Sequence, residues 1–168
     1  IVCDKFSNPE WIASDLIGQA EHDELAQCIL ISKDRKMIDK VRISIKNQLK
    51  KLPRKVIATK SLFLNGLLVY INSNKGIINL INKIAPEHLE LNIKDYKKIV
   101  YKVKNAGSIC LGKYAVMAMT DYNVGTNHVL PTNSTAKYSS GVSINEFLKR
   151  ISYVNLSKKG IETLGPSA

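Results

Sequence analysis

Ala26-Gln27-Cys28-Ile29-Leu30-Ile31-Ser32-Lys33-Asp34 is the stretch on which the fold can be read. Residues 26–31 form an apolar run of strand length, and Ser32-Lys33-Asp34 then offers capping side chains for a helix over about Asp34–Leu52. Met37, Ile38, Val41, Ile45 and Leu49 recur at helical spacing, so this helix has one apolar stripe and turns its lysines to water. Pro53 ends it. A strand that runs straight into an amphipathic helix is the repeating unit of a parallel sheet.

The same unit recurs on both sides. Upstream, Ile1-Val2-Cys3-Asp4 reads as the end of a strand. Asn8-Pro9-Glu10 then supplies a cap, a proline at the first helical position and an acid in the first turn. That helix is expected to run to about Asp23, burying Trp11, Ile12, Leu16 and Ala20. Downstream, the pattern predicts a strand over Leu67–Asn72 and a helix over Asn74–Ile84, stopped by Ala85-Pro86. His88-Leu89-Glu90-Leu91 alternates like a half-buried strand. A helix over Asp95–Lys104, with Tyr96, Ile99, Val100 and Val103 inward, and a buried strand over Ser108–Leu111 complete the series. The alternation predicts an α/β layered domain with a mostly parallel sheet and flanking helices.

Tyr114–Ser140 breaks the pattern. Loops of this length are functional or disordered, and its Gly, His and Asp content favours function. Beyond it, Asn145–Lys149 is expected to form a turn of helix and Ile151–Asn155 a strand, before a short segment opening at Ser157. The division expected is an α/β portion over 1–140 and a short α/β tail over 141–168.

The formal charge of +11 raises nucleic-acid or membrane-surface binding. The basic cluster Lys46, Lys50, Lys51, Arg54 and Lys55 has no aromatic residue interleaved, and the other lysines are scattered. Stacking platforms need aromatics near their charges, so the expectation is no nucleic acid and no membrane. No apolar run is long enough to span a bilayer and no leader pattern opens the chain, so it is read as soluble and cytoplasmic. Cys3, Cys28 and Cys110 sit among aliphatic residues without metal or redox spacing and are expected to be buried hydrophobes.

All three histidines fall in three polar stretches. Gln19 and His22, at i and i+3, share a helical face. Imidazole is a common ligand for a borderline metal and an amide oxygen an unusual one, and Asp121 could add an anionic third. Taken alone, the Gln19–His22 pair is more often a hydrogen-bonded surface. Glu87-His88 follows a proline stop at a strand start. Neighbours on an extended segment point apart, yet both could flank one substrate, His88 as a proton acceptor and Glu87 as activator of a water. A strand-start histidine packed on its neighbours is the commoner arrangement. His128, in Gly125-Thr126-Asn127-His128, could bind substrate or pin its loop.

Residues 13–22 (Ala-Ser-Asp-Leu-Ile-Gly-Gln-Ala-Glu-His), Ala85-Pro86-Glu87-His88-Leu89, Asn105-Ala106-Gly107-Ser108, Asp121-Tyr122, the run Gly125-Thr126-Asn127-His128-Val129-Leu130-Pro131-Thr132, and Phe147-Leu148-Lys149-Arg150 together resemble the histidinol dehydrogenase family. The resemblance runs in order through nearly the whole chain. It implies part of a doubly wound, Rossmann-like domain and an NAD-dependent oxidation of L-histidinol, through the aldehyde, to L-histidine. It implies zinc held by Gln19, His22 and Asp121, with His88 as general base and Glu87 activating water. The substrate would contact Gln19, His22, His88, Asp121 and His128. Residues 141–168 would begin the segment for dimerisation and substrate binding in a homodimer.

Measured against the family pattern, the sequence looks like a central portion. The NAD-binding half, a fourth zinc-ligating histidine and a substrate-binding glutamate are expected outside it, and no Gly-rich nucleotide fingerprint occurs within it. The record could be partial or the gene broken, and an inactive zinc-binding remnant or a basic nucleic-acid-binding module are the alternatives. Alone, the 168-residue stretch is expected to form no NADH from L-histidinol. NADH appearing in that assay would contradict this division of the site.

Overall fold

The computed structural model describes residues 1–120 and 122–168. The strands are β1 (Val2–Cys3), β2 (Ile29–Ser32), β3 (Leu67–Tyr70), β4 (His88–Asn92) and β5 (Ser108–Leu111). The helices are α1 (Pro9–Ala20), α2 (Arg35–Leu49), α3 (Lys55–Leu64), α4 (Asn74–Ile84), α5 (Lys97–Val100), α6 (Met117–Thr120) and α7 (Lys158–Leu164). The sheet has five parallel strands in the order β3-β2-β1-β4-β5. The chain therefore winds outward from β1 to β3, then crosses back to lay β4 on the other side of β1.

Side-chain alternation along the strands builds two cores. Cys3 and Leu30 face α1, α2 and α3, where Ile12, Ala13, Leu16, Val41 and Ala58 are buried. Val2, Ile31, Leu89 and Leu91 face the opposite layer, against Ile77, Ile81 and Ile99. This places helices on both faces, the doubly wound arrangement expected.

The caps follow the sequence signals. Asn8 Oδ1 accepts from the Glu10 N–H at 2.8 Å, Asp34 Oδ1 from Lys36 N–H at 2.9 Å and Ser73 Oγ from Gly76 N–H at 3.1 Å. α4 ends at Ala85, whose φ of 50° is left-handed, and Pro86 bars another turn.

Several expectations are corrected. α1 stops at Ala20 rather than Asp23, because Glu21 caps it and the chain turns at His22. Trp11 is 45% exposed rather than buried, its ring tilted 6.2 Å from Tyr114. β4 is not half-buried: it lies between two strands with helices on both faces, and Glu90 on its polar alternation is only 3% exposed. β5 is an edge strand of the described residues, and Leu111 remains exposed. The helix expected over Asp95–Lys104 shrinks to α5 between turns. Residues 151–155 are exposed and form no ladder to a neighbouring strand among the described residues. α3 gave no sequence signal, having neither a side-chain cap nor an acid in its first turn. The three cysteines are free and buried, as expected.

Two substitutions measure this packing in opposite directions. Leu30 is fully buried, so Leu30→Ala is expected to cost about 2–5 kcal/mol. Gly18 lies inside α1, and a methyl group there meets no atom within 4 Å, so Gly18→Ala is expected to stabilise by roughly 0.5–1 kcal/mol. Denaturant unfolding of the full-length protein checks both.

Candidate active site

The turn at Ala85-Pro86 sets Glu87 and His88 at the amino end of β4. Gly107 N–H donates to Pro86 O at 3.0 Å and Ser108 N–H to Glu87 O at 2.9 Å, so the β4–β5 pairing begins at these residues. α1 ends across from them and presents Gln19. Asp15, Gln19, Glu87, His88 and Met117 line one cavity of about 320 Å³. Ile1, Cys28 and Ile29 contribute to the same wall, which puts the cavity at the amino ends of β1, β2 and β4. Ligands of open parallel sheets usually sit beyond the carboxyl ends, so topology alone would have directed attention to the wrong edge.

Glu87 and His88 do come together. His88 Nε2 stands 3.9 Å from Glu87 Oε1, too far for a hydrogen bond but close enough for both to flank one bound molecule. Gln19 is half-buried in the wall. His22 is exposed on the turn after α1 and is not part of the cavity lining; its backbone N–H donates to Gln19 O at 3.3 Å. Gln19 and His22 therefore do not share a continuous helical face. His128 is exposed. Its loop is pinned by Asn127, whose side-chain amide donates to Val142 O at 2.9 Å and whose Oδ1 accepts from Val129 N–H at 2.7 Å. Asp121 lies outside the described residues.

Among the described residues, no three His, Cys, Asp or Glu side chains converge as a metal site. The donor set expected from sequence is different in kind: one amide oxygen, one imidazole and the carboxylate of Asp121. Its chemistry fits a borderline cation, and Gln19 and His22 are joined through the backbone bond just described.

Three residues of this region carried no role in the sequence reading. Glu90 follows His88 by two and faces the same side of β4; Asp15 precedes Gln19 by four on α1. Burial, then the neighbouring Asp15 carboxylate, pushes the Glu90 carboxyl up to about 7. Burial also raises Asp15. The strand and helix periodicities that align them with the site were present in the sequence, but the contact between α1 and β4 was not. Gly107 is the third: a Cβ there would lie 2.6 Å from Glu87 O and 3.0 Å from Pro131 Cδ, so only glycine lets β5 and the 130–131 loop close on the Glu87 backbone.

A family model described as histidinol dehydrogenase matches residues 1–168. The chain belongs to the histidinol dehydrogenase family. It is 79% identical over 167 residues to a histidinol dehydrogenase of Pelagibacter ubique (strain HTCC1062), covering 99% of this chain and 39% of that protein. It is 44% identical over 168 residues to the histidinol dehydrogenase of Hydrogenovibrio crunogenus (strain DSM 25203 / XCL-2), covering 100% of this chain and 39% of that protein. The crystal structure of histidinol dehydrogenase from Elizabethkingia anophelis superposes with a TM-score of 0.91 at 40% identity, over 99% of this chain and 38% of that one. The chain thus spans about 39% of the length of the curated family members it matches. Among the described residues no helix is long and apolar enough to cross a membrane.

Gly107→Ala is expected to lower stability by about 1–3 kcal/mol, because backbone rather than a flexible side chain must give way. Thermal unfolding of the full-length variant beside wild type measures it, and an unchanged midpoint would contradict the close approach.

Proposed function

We propose that the full-length protein carrying this chain oxidises L-histidinol to L-histidine in the cytoplasm, consuming two NAD⁺ for each substrate. The observation that carries this reading is the shared cavity of Gln19, Glu87 and His88, in a chain so similar to histidinol dehydrogenases. In this reading His88 Nε2 accepts the hydroxyl proton as hydride leaves the same carbon. Glu87 then takes a proton from the water that adds to the aldehyde carbon, and a second hydride loss from that hydrate gives the carboxylate. Gln19, His22 and Asp121 would hold zinc, which supplies a Lewis-acid anchor for the substrate. NAD⁺ supplies the hydride acceptor, bound by parts of the protein outside this chain. His128 completes the substrate contacts.

A homodimer fits the same reading. Ile144, Phe147, Ile151, Tyr153 and Val154 are at least 60% exposed, an apolar surface of the kind that further chain or a partner subunit covers.

The test is steady-state kinetics of the full-length protein with L-histidinol and NAD⁺. Positioned proton transfer is worth roughly 10²–10⁴-fold, so His88→Asn and Glu87→Gln are each expected to lose kcat by that order. Glu87→Gln should retain more oxidation of L-histidinol to the aldehyde than of the aldehyde to the acid. Wild-type turnover that neither substitution slows would contradict the assignment.

A further inference from the structure

At the base of the cavity a buried carboxyl group meets a half-buried one. Glu90 projects from β4 toward α1 and is 3% exposed. Its Oε1 accepts from the Met117 N–H at 3.3 Å. Asp15 projects from α1 into the same space, and its Oδ2 is buried with no hydrogen-bond donor. Two ionised carboxylates cannot share such a place at low cost, whereas one proton between them satisfies both: the Glu90 carboxyl donates to Asp15. The pair sits one helical turn from Gln19 and one strand repeat from His88, both of which line the cavity with Asp15.

We infer that Asp15 and Glu90 act as one unit, two carboxyls joined by a shared proton, which ties α1 to β4 and sets the placement of Gln19 against His88. This is a positioning role and rests on the function proposed above. The charged or titratable groups around Glu90 are Asp15 on α1 and, on β4 itself, His88. Burial and Asp15 raise the Glu90 value while the Met117 N–H lowers it, and the net direction is upward.

A raised carboxyl binds its proton more tightly folded than unfolded. The contribution is therefore full below the ordinary value of 4.5, declines as pH rises toward about 7, and is lost above it. In functional terms, the tie between α1 and β4 loosens on the alkaline side.

The experiment uses the full-length protein and three forms: wild type, Glu90→Gln and Glu90→Ala. The glutamine can still donate to Asp15 but cannot ionise. Infrared difference spectra at pH 6 are expected to show a protonated-carboxyl band in wild type that Glu90→Gln lacks. The melting temperature of wild type is expected to fall relative to Glu90→Gln as pH rises through about 7. With L-histidinol, Glu90→Ala is expected to lose roughly 10²-fold in kcat/KM through misplacement, and Glu90→Gln to recover most of it with a flatter alkaline limb. A missing carboxyl band, parallel melting curves, or equal losses in the two variants would overturn the inference. If wild type does not oxidise L-histidinol, the proposed function falls, while the infrared band and the melting curves still decide whether the shared proton exists.

Discussion

The pairing of β4 with β1 is the constraint on which the rest depends. Val2 lies opposite Leu91 and Cys3 opposite Asn92, so the last inner strand is laid beside the first. Without this crossover, β4 would have only β5 as a neighbour, and its two faces could not both be covered. With it, Leu89 and Leu91 are buried against α4 and α5, and His88 and Glu90 are turned toward α1. Short strands give few ladder bonds, so the burial of these aliphatic side chains, worth roughly 1.5–3 kcal/mol each, is what holds the register. A slip of one residue would exchange the leucines for the acid and the histidine.

One acidic side chain interrupts this packing. A carboxyl side chain in the place of Glu90 takes up core volume that an aliphatic residue would fill without desolvation. Its retention there makes sense only with a partner, and Asp15 is that partner. The same contact brings the end of α1 to the start of β4, and the cavity opens where those two ends face one another. Gly107 adds the third side by allowing β5 and the 130–131 loop to approach the Glu87 backbone. The cavity therefore sits where the end of α1, the start of β4 and the approach of β5 meet at the amino edge of the sheet.

Much of this was legible in the sequence, for identifiable reasons. Periodicity and caps gave α4 residue for residue and the start of α2, since Asp34 and Ala85-Pro86 mark those ends chemically; α2 stops at Leu49 rather than Leu52, short of Pro53, because no residue there caps it by its side chain. α3 was missed because Arg54 offers no cap, and its helix is held by packing of Ala58 and Ser61 instead. Glu90 was read as a solvent-facing alternation because a period of two is the same whether the second face meets water or a helix. Within the site, the adjacency of Glu87 and His88 at a strand start was legible, and both line one cavity with Gln19. The face assigned jointly to Gln19 and His22 failed because α1 ends between them. Asp15 and Glu90 were invisible as a pair, since 75 residues of sequence separate a contact made only by the fold.

The most direct test of this account is a titration of the full-length protein with L-histidinol, followed by NMR at the Gln19 side-chain amide and the His88 ring. The account predicts that both sets of resonances move together along one saturation curve, because one cavity brings the end of α1 and the start of β4 to the same ligand. Saturable binding that leaves either residue unmoved would contradict it.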